Sequence, residues 1–200
     1  GLQCEIYTQQ DGERVIHGRA AVAMITPAAR ETIELQSLQR RCQLAQIDAQ
    51  ICYAGFASGG IDYGSSHKAI QMIYVGDGEV LAKLALPESV LATESDYVLH
   101  PSMMDAALQS AAQLLFGARS DEAPAAGPFL PYALETLEIH QACVTPMWSW
   151  VRNSASGAAN ANAKLRKLDI DLYNDQGELC VRLQGFSSRA LDIKKSTHED

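Results

Sequence analysis

The sequence predicts an α+β fold in which an antiparallel β-sheet wraps around one long central helix. Three observations carry this expectation. β-Forming runs come in pairs joined by short turns at Asp11-Gly12, at Gly76-Asp77-Gly78 and at Asn174-Asp175-Gln176-Gly177, the signature of hairpins. One segment, 101–116, is apolar at helical spacing, with Met104, Leu108, Ala111 and Leu115 recurring on one face. Helices do not alternate with strands, which disfavours a doubly wound parallel sheet.

The elements follow in order. Residues 2–8 and 14–25 are two strands around Asp11-Gly12. A lone hairpin is marginal in water, so these strands need something to pack on. Residues 28–47 mix charges with isolated leucines, show no single apolar stripe and read as a linker that can be helical in part. Residues 51–64 contain Gly55, Gly59, Gly60 and Gly64 and read as turn-rich, with a short helix over 65–70. Strands are expected over 71–75 and 79–86, where Val80, Ala82, Leu84 and Leu86 share one side. In the central helix Pro101 suits the first position and Gly117 can end it. Its small, apolar residues imply burial on more than one side. Strand-like runs follow over 133–144 and 147–152, and a last hairpin pairs 164–173 with 178–190. The Ser/Ala/Gly/Asn stretch 154–163 reads as a surface loop and the polar tail from Lys194 as disordered.

Composition narrows the function. The 200 residues are 47% hydrophobic and 20% charged, enough for a core, and no apolar run reaches a membrane-spanning length. Acidic residues outnumber basic ones 24 to 16, for a net charge of −8, which argues against nucleic acid or anionic lipid as partners. The five cysteines, Cys4, Cys42, Cys52, Cys143 and Cys180, have no metal-ligand spacing and read as free thiols in a reducing cytoplasm. The N-terminus lacks the basic and apolar regions of a signal peptide.

One group stands out chemically. Asp105 is the only acidic residue of the apolar helix, and Gln109 follows it one turn later on the same face. Burial favours the protonated carboxyl, which can then serve as a general acid, with the Gln109 amide fixing its rotamer. A purely structural aspartate at the positive end of a helix is the other reading that composition allows. His67 reads as a surface histidine or one placed behind the site on a short helix, with a replacement base as the rival reading, Tyr63 as a core tyrosine or a site residue, and Trp148 and Trp150 as core or edge cover on one sheet face. Asp169 and Asp171 read as a solvated strand face beside Lys164, Arg166 and Lys167. Gly76-Asp77-Gly78 lacks the context of a phosphate loop and reads as a turn.

The run His100-Pro101-Ser102-Met103-Met104-Asp105-Ala106-Ala107-Leu108-Gln109 resembles the Asp-x-x-x-Gln helix of polyketide synthase dehydratase domains. Gly60-Ile61-Asp62-Tyr63-Gly64 is similar to that family's Gly-x-x-Tyr-Gly motif, residues 71–87 to the strand pair after it, Phe129-Leu130-Pro131-Tyr132 to its Leu-Pro motif, and residues 146–152 to the next strand. The resemblance implies a double hotdog, two lobes each with a sheet around a long helix. By it, residues 1–27 are the last strands of the first lobe, 28–47 an inter-lobe linker, 48–192 the C-terminal lobe and 193–200 a polar tail.

That family eliminates water from 3-hydroxyacyl chains held on the phosphopantetheine of an acyl carrier protein. By resemblance Asp105 is the general acid and Gln109 its partner, while Tyr63, Gly64, Met104 and the Leu130-Pro131 turn line the acyl channel. Neither metal nor diffusible cofactor is expected. The implied partners are the carrier protein, neighbouring synthase domains and the N-terminal lobe, with self-association into a homodimer through an exposed face. The family's base histidine, in a His-x-x-x-Gly-x-x-x-x-Pro motif, has no counterpart here: none of His17, His67, His100, His140 and His198 has glycine four residues later. Where the family has Pro and Phe after Tyr-Gly, this chain has Ser65-Ser66-His67. Two rival expectations keep the fold: a non-catalytic lobe kept for packing or carrier-protein docking, and a pyran-forming cyclase or double-bond-shifting domain.

Overall fold

Two sheets of very different character make up the chain. The computed structural model describes residues 1–25, 30–116, 129–155 and 166–190. Strands β1 (Leu2–Gln10) and β2 (Glu13–Val22) form an antiparallel hairpin that is a sheet by itself. Its turn places Asp11 at φ 52° and Gly12 at φ 84°, the left-handed pair that a tight two-residue hairpin requires. Every residue of β1 is exposed.

The second sheet has eight strands: β3 (Ala45–Asp48), β4 (Ile70–Val75), β5 (Glu79–Leu84), β6 (Phe129–Ala133), β7 (Thr136–Ile139), β8 (Met147–Asn153), β9 (Arg166–Asn174) and β10 (Leu179–Ala190). Their spatial order is β3-β4-β5-β8-β9-β10-β6, with β7 also pairing β10, and every pairing is antiparallel. Among the described residues five α-helices accompany them: α1 (Leu35–Arg41), α2 (Ala49–Ser58), α3 (Glu88–Leu91), α4 (Pro101–Ser110) and α5 (Ala112–Phe116).

Helix α4 lies against β4, β5, β8 and β9. Its Met103, Ala106 and Ala107, with Ala111 beyond it, meet Ile73, Val80, Ala82, Met147, Val151, Ile170, Leu172, Val181 and Leu183 in one core. Small residues let the helix approach closely, and Ser110 Oγ comes within 3.2 Å of Ser149 Oγ on β8 while it donates to Ala107 O. His100 caps α4: its Nδ1 accepts from Ser102 N at 3.1 Å, with Pro101 at the first helical position.

The expected central helix over 101–116 is therefore two helices, which part at Ala111. The run over 133–144 also divides, into the end of β6 and β7. The stretch 51–64 differs most. Its first eight residues are most of α2, because Asp48 accepts from Ile51 N at 2.8 Å as an N-cap and Cys52 and Phe56 dock on the core. The linker over 28–47 is helical in part, as α1, and its last residues start β3, a strand not expected there. β3 is an edge strand of the large sheet, and α1 covers the sheet's outer face, where Leu38 and Cys42 pack on Leu81 beside Tyr74, Trp148 and Trp150.

That outer face also holds the correction to Asp171. It is fully buried, between Arg152 at 2.9 Å and Arg182 at 3.0 Å, and accepts from Tyr173 Oη at 3.2 Å. Arg182 reaches on to Glu31 at 2.7 Å. A bridge between Thr32 and Glu178, and a bond from Ile33 N to Gly177 O, hold residues 30–33 across the sheet. Gly177 is obligatory there: its φ is +76° and a Cβ would lie 2.1 Å from Ile33 O. The expected loop over 154–163 and the tail from 194 lie mostly or wholly outside the described residues.

Candidate active site

Asp105 sits in the second turn of α4, on the side that faces the 3₁₀ turn Ser65–His67 ahead of β4. Two side chains meet at one of its oxygens. Gln109 Nε2 donates to Oδ2 at 2.9 Å and His67 Nδ1 lies 3.0 Å from the same atom. The second Nε2 hydrogen of Gln109 goes to His67 O at 3.0 Å, and its Oε1 accepts from Tyr53 Oη at 3.1 Å. Tyr53 Oη in turn accepts from Ile70 N at 3.0 Å. Both faces of the Gln109 amide are thus assigned by their partners, and the amide has one orientation.

Sequence spacing finds the Asp105–Gln109 pair but neither Tyr53 nor His67. Tyr53 falls in the stretch read as turns. His67 lies 38 positions from Asp105 and meets it only because the 3₁₀ turn packs on α4. A usable signal for Tyr53 did exist: Asp48 opens a ten-residue segment without proline, and Tyr53 lies on it beside the core residue Cys52.

Tyr63 closes the aromatic side of the site. Its ring meets Phe56 edge-on at 5.1 Å and Tyr53 at 6.0 Å. Burial first, then the charges of Asp105 and Cys52, push the Tyr63 hydroxyl up to about 12. Burial holds Tyr53 well above the ordinary phenol range. Both phenols are therefore neutral at physiological pH. Gly64 is exposed beside them and leads into the 3₁₀ turn. Met104 is half-buried and packs against the core next to Asp105.

Two expectations need correcting. Asp105 is half-exposed, not largely buried: 34% of its side chain is accessible. Leu130 and Pro131 do not form a turn. They belong to β6, at the opposite edge of the sheet from β3, with Leu130 43% exposed, and the structure does not join them to the Asp105 network. A proline is tolerated on such an edge strand because its missing N–H costs no ladder bond. The described surface also holds a polar cavity of about 460 Å³, lined by Gln36, Gln39, Arg40, Gln43 and Gln46, apart from Asp105.

A sheet wrapped on α4, with a carboxyl, an amide and phenols at the helix flank, defines a hotdog-type α+β domain with an acid-bearing helix. Residues 30–198 match the family model described as "Polyketide synthase dehydratase N-terminal domain", and the chain belongs to the polyketide synthase dehydratase family. It is 38% identical over 190 residues to polyketide synthase PksN of Bacillus subtilis, a match that covers 94% of this chain and 3% of that synthase. The crystal structure of a trans-AT polyketide synthase dehydratase domain from Brevibacillus brevis is similar at TM-score 0.82 and 38% identity, covering 95% of this chain and 65% of that one. An inactive aspartate-to-asparagine mutant of the CurK dehydratase is similar at TM-score 0.76 and 30% identity, covering 94% and 64%. The chain thus spans a small part of the synthases it matches and just under two thirds of the solved domains. Among the described residues no helix is long and apolar enough to cross a membrane.

Proposed function

We propose that this chain is the acid-bearing lobe of a 3-hydroxyacyl-[acyl carrier protein] dehydratase, working in the cytoplasm within a modular polyketide synthase. In this reading residues 48–192 are the C-terminal lobe, with the inter-lobe segment 28–47 ahead of it. The family description speaks of an N-terminal domain; the assignment to the C-terminal lobe rests on the Asp-x-x-x-Gln helix and on the hairpin that precedes it. The substrate is a 3-hydroxyacyl thioester on the phosphopantetheine arm of a carrier protein.

The step is an elimination. A base takes the α-proton, the α-carbon's electron pair forms the double bond, the β-carbon–oxygen bond breaks, and Asp105 delivers a proton to the departing hydroxyl, which leaves as water. Acid and base together suffice for this chemistry, so no metal or diffusible cofactor enters the reading. The base belongs to the partner lobe, on a segment outside this chain. Gln109 holds the carboxyl, and Tyr63, Gly64 and Met104 flank the acyl chain.

The observation that carries the reading is the half-exposed Asp105 carboxyl, anchored through a single oxygen. An aspartate kept only to cap a helix needs no such network of Gln109, Tyr53 and His67. The inactive aspartate mutant of the CurK dehydratase fits a required carboxyl in that relative.

The test is Asp105→Asn in a dehydratase that carries both lobes, assayed with a 3-hydroxyacyl thioester on its carrier protein. Turnover should fall by about 10²–10⁴-fold with the thermal midpoint unchanged. Retained turnover would refute the acid role. The present chain assayed alone should not dehydrate the same thioester.

A further inference from the structure

We infer that His67 is a positioning residue for Asp105: its Nδ1–H and the Gln109 amide clamp one carboxyl oxygen and leave the other to face the substrate. The inference rests on the proposed acid role of Asp105.

The argument starts from the donors. A carboxyl group has two oxygens, and here both donors converge on Oδ2, at 2.9 Å from Gln109 and 3.0 Å from His67. Among the described residues Oδ1 has no hydrogen-bond partner. When Asp105 is a carboxylate, Oδ2 accepts from both. When it is protonated, the proton sits on the free Oδ1 and Oδ2 is the carbonyl oxygen, which still accepts from both. Nδ1 carries a hydrogen in either case, so one histidine tautomer serves the whole cycle. The transferable proton is confined to the single oxygen that has no partner among the described residues. That is the placement an acid needs at a departing hydroxyl.

His67 is itself held at two points. Its ring meets Asp105, and its backbone carbonyl accepts from the second hydrogen of Gln109. The loop through Gln109 is closed by Tyr53, which bonds Gln109 Oε1 and the Ile70 amide two residues before β4's third position. The ring therefore cannot swing away without breaking its contact to Asp105, and the backbone beneath it is fixed by the same glutamine. The ring is 46% exposed, so its Nε2 edge is accessible. Lys68 lies over the Tyr53 ring at 5.7 Å, and Tyr63 and Tyr53 are neutral, so Asp105 is the acidic group in contact with the imidazole.

This role differs from that of a base. A base would work through Nε2 and would lose its function if that nitrogen were removed. A clamp works through Nδ1–H alone. Asparagine places an amide N–H close to the Nδ1 position and has nothing at Nε2, so it separates the two.

The experiment uses the dehydratase with both lobes and a 3-hydroxyacyl thioester of N-acetylcysteamine as probe. His67→Ala should lower kcat by about 100-fold with KM little changed, as expected for a misplaced reacting group. His67→Asn should restore most of that loss. Long-range nitrogen–proton spectra of the present chain should show the neutral His67 ring protonated at Nδ1. An Asn variant as slow as the Ala variant would overturn the inference and make the Nε2 edge a chemical participant. Wild-type kcat in His67→Ala, or an Nε2-protonated ring, would overturn it too. Asp105→Asn run in parallel separates the two claims. If Asp105→Asn is dead while His67→Ala is normal, only the clamp fails. If Asp105→Asn is active, the acid role fails.

Discussion

The N-terminal hairpin and the eight-stranded sheet are built from similar strands and end in opposite states. β1 alternates apolar and polar residues through Ile6, and β8 alternates buried and part-buried positions. On β8, Met147, Ser149 and Val151 are fully buried against α4. On β1, Leu2 is 72% and Ile6 71% exposed, and Val15 and Ile16 across the turn are open as well. Pairing and a left-handed turn are enough to shape a hairpin, but they bury nothing. A strand becomes core only when a helix or a second layer arrives to cover it, and that partner lies elsewhere in sequence.

The contrast can be broken most forcefully on the outer face of the large sheet. Asp171→Ala should destabilise that unit by about 3–5 kcal/mol in urea unfolding, because it strands Arg152 and Arg182 without their shared carboxylate. Leu172→Ala on the same strand should cost about 2–5 kcal/mol, while Ile6→Ala on the hairpin should stay within about 0.5 kcal/mol. Equal effects at Leu172 and Ile6 would mean that the hairpin is covered in solution.

Thiol chemistry sharpens the same comparison. Cys4 on the hairpin is exposed, whereas Cys42, Cys52, Cys143 and Cys180 are buried. Burial pushes both Cys42 and Cys52 up to about 11, which leaves little of the nucleophilic thiolate at pH 8. One thiol should react promptly with a disulfide reagent in the native protein, and all five should react after denaturation. Two or more prompt thiols would show that the sheet's thiols are reached.

The smallest effect concerns acid. The hydrogen bond from Arg182 holds Glu31 below the ordinary carboxylate range. A depressed folded value contributes stability above the unfolded value of about 4.3, lost as pH falls through the folded one. Glu31→Gln should therefore flatten the acid limb of a urea-midpoint series between pH 6 and 3, and an unchanged limb would remove Glu31 from it.

How much of this was legible in the sequence depends on the range over which each feature is decided. The turns at Gly12, Gly78 and Gly177 were readable because each needs a positive φ locally. The Asp105–Gln109 pair was readable because helical spacing decides it. α2 was not, since Gly55 weighs against a helix locally, while the Asp48 cap and the docking of Cys52 and Phe56 outweigh it. Gly55 has open space where a Cβ would be, so nothing there demanded glycine. Asp171 was misread because strand alternation shows two faces without showing what lies over either. Its partners are Arg152 and Arg182, and Arg182 is held in turn by Glu31, more than a hundred residues upstream. His67 was readable as a histidine at or behind the site, but its pairing with Asp105 was not: that contact belongs to the docking of a 3₁₀ turn on α4, which no spacing rule encodes.

The tie across the outer face also has a bearing on how the chain matures during synthesis. Arg30 and Glu178 are 148 positions apart, and Glu31 and Arg182 are 151 apart. A ribosome that delivers residues in order exposes β3, β4 and β5 long before β8 and β9 can join β5's free edge. Until then the apolar side of α4 faces a half-built sheet. The segment ahead of α1 must wait, unanchored, for nearly the whole chain to emerge before its arginine and glutamate find their partners. Closing contacts of this span is slow. The nascent lobe therefore depends, for most of its translation, on whatever shields its incomplete sheet from neighbouring nascent chains.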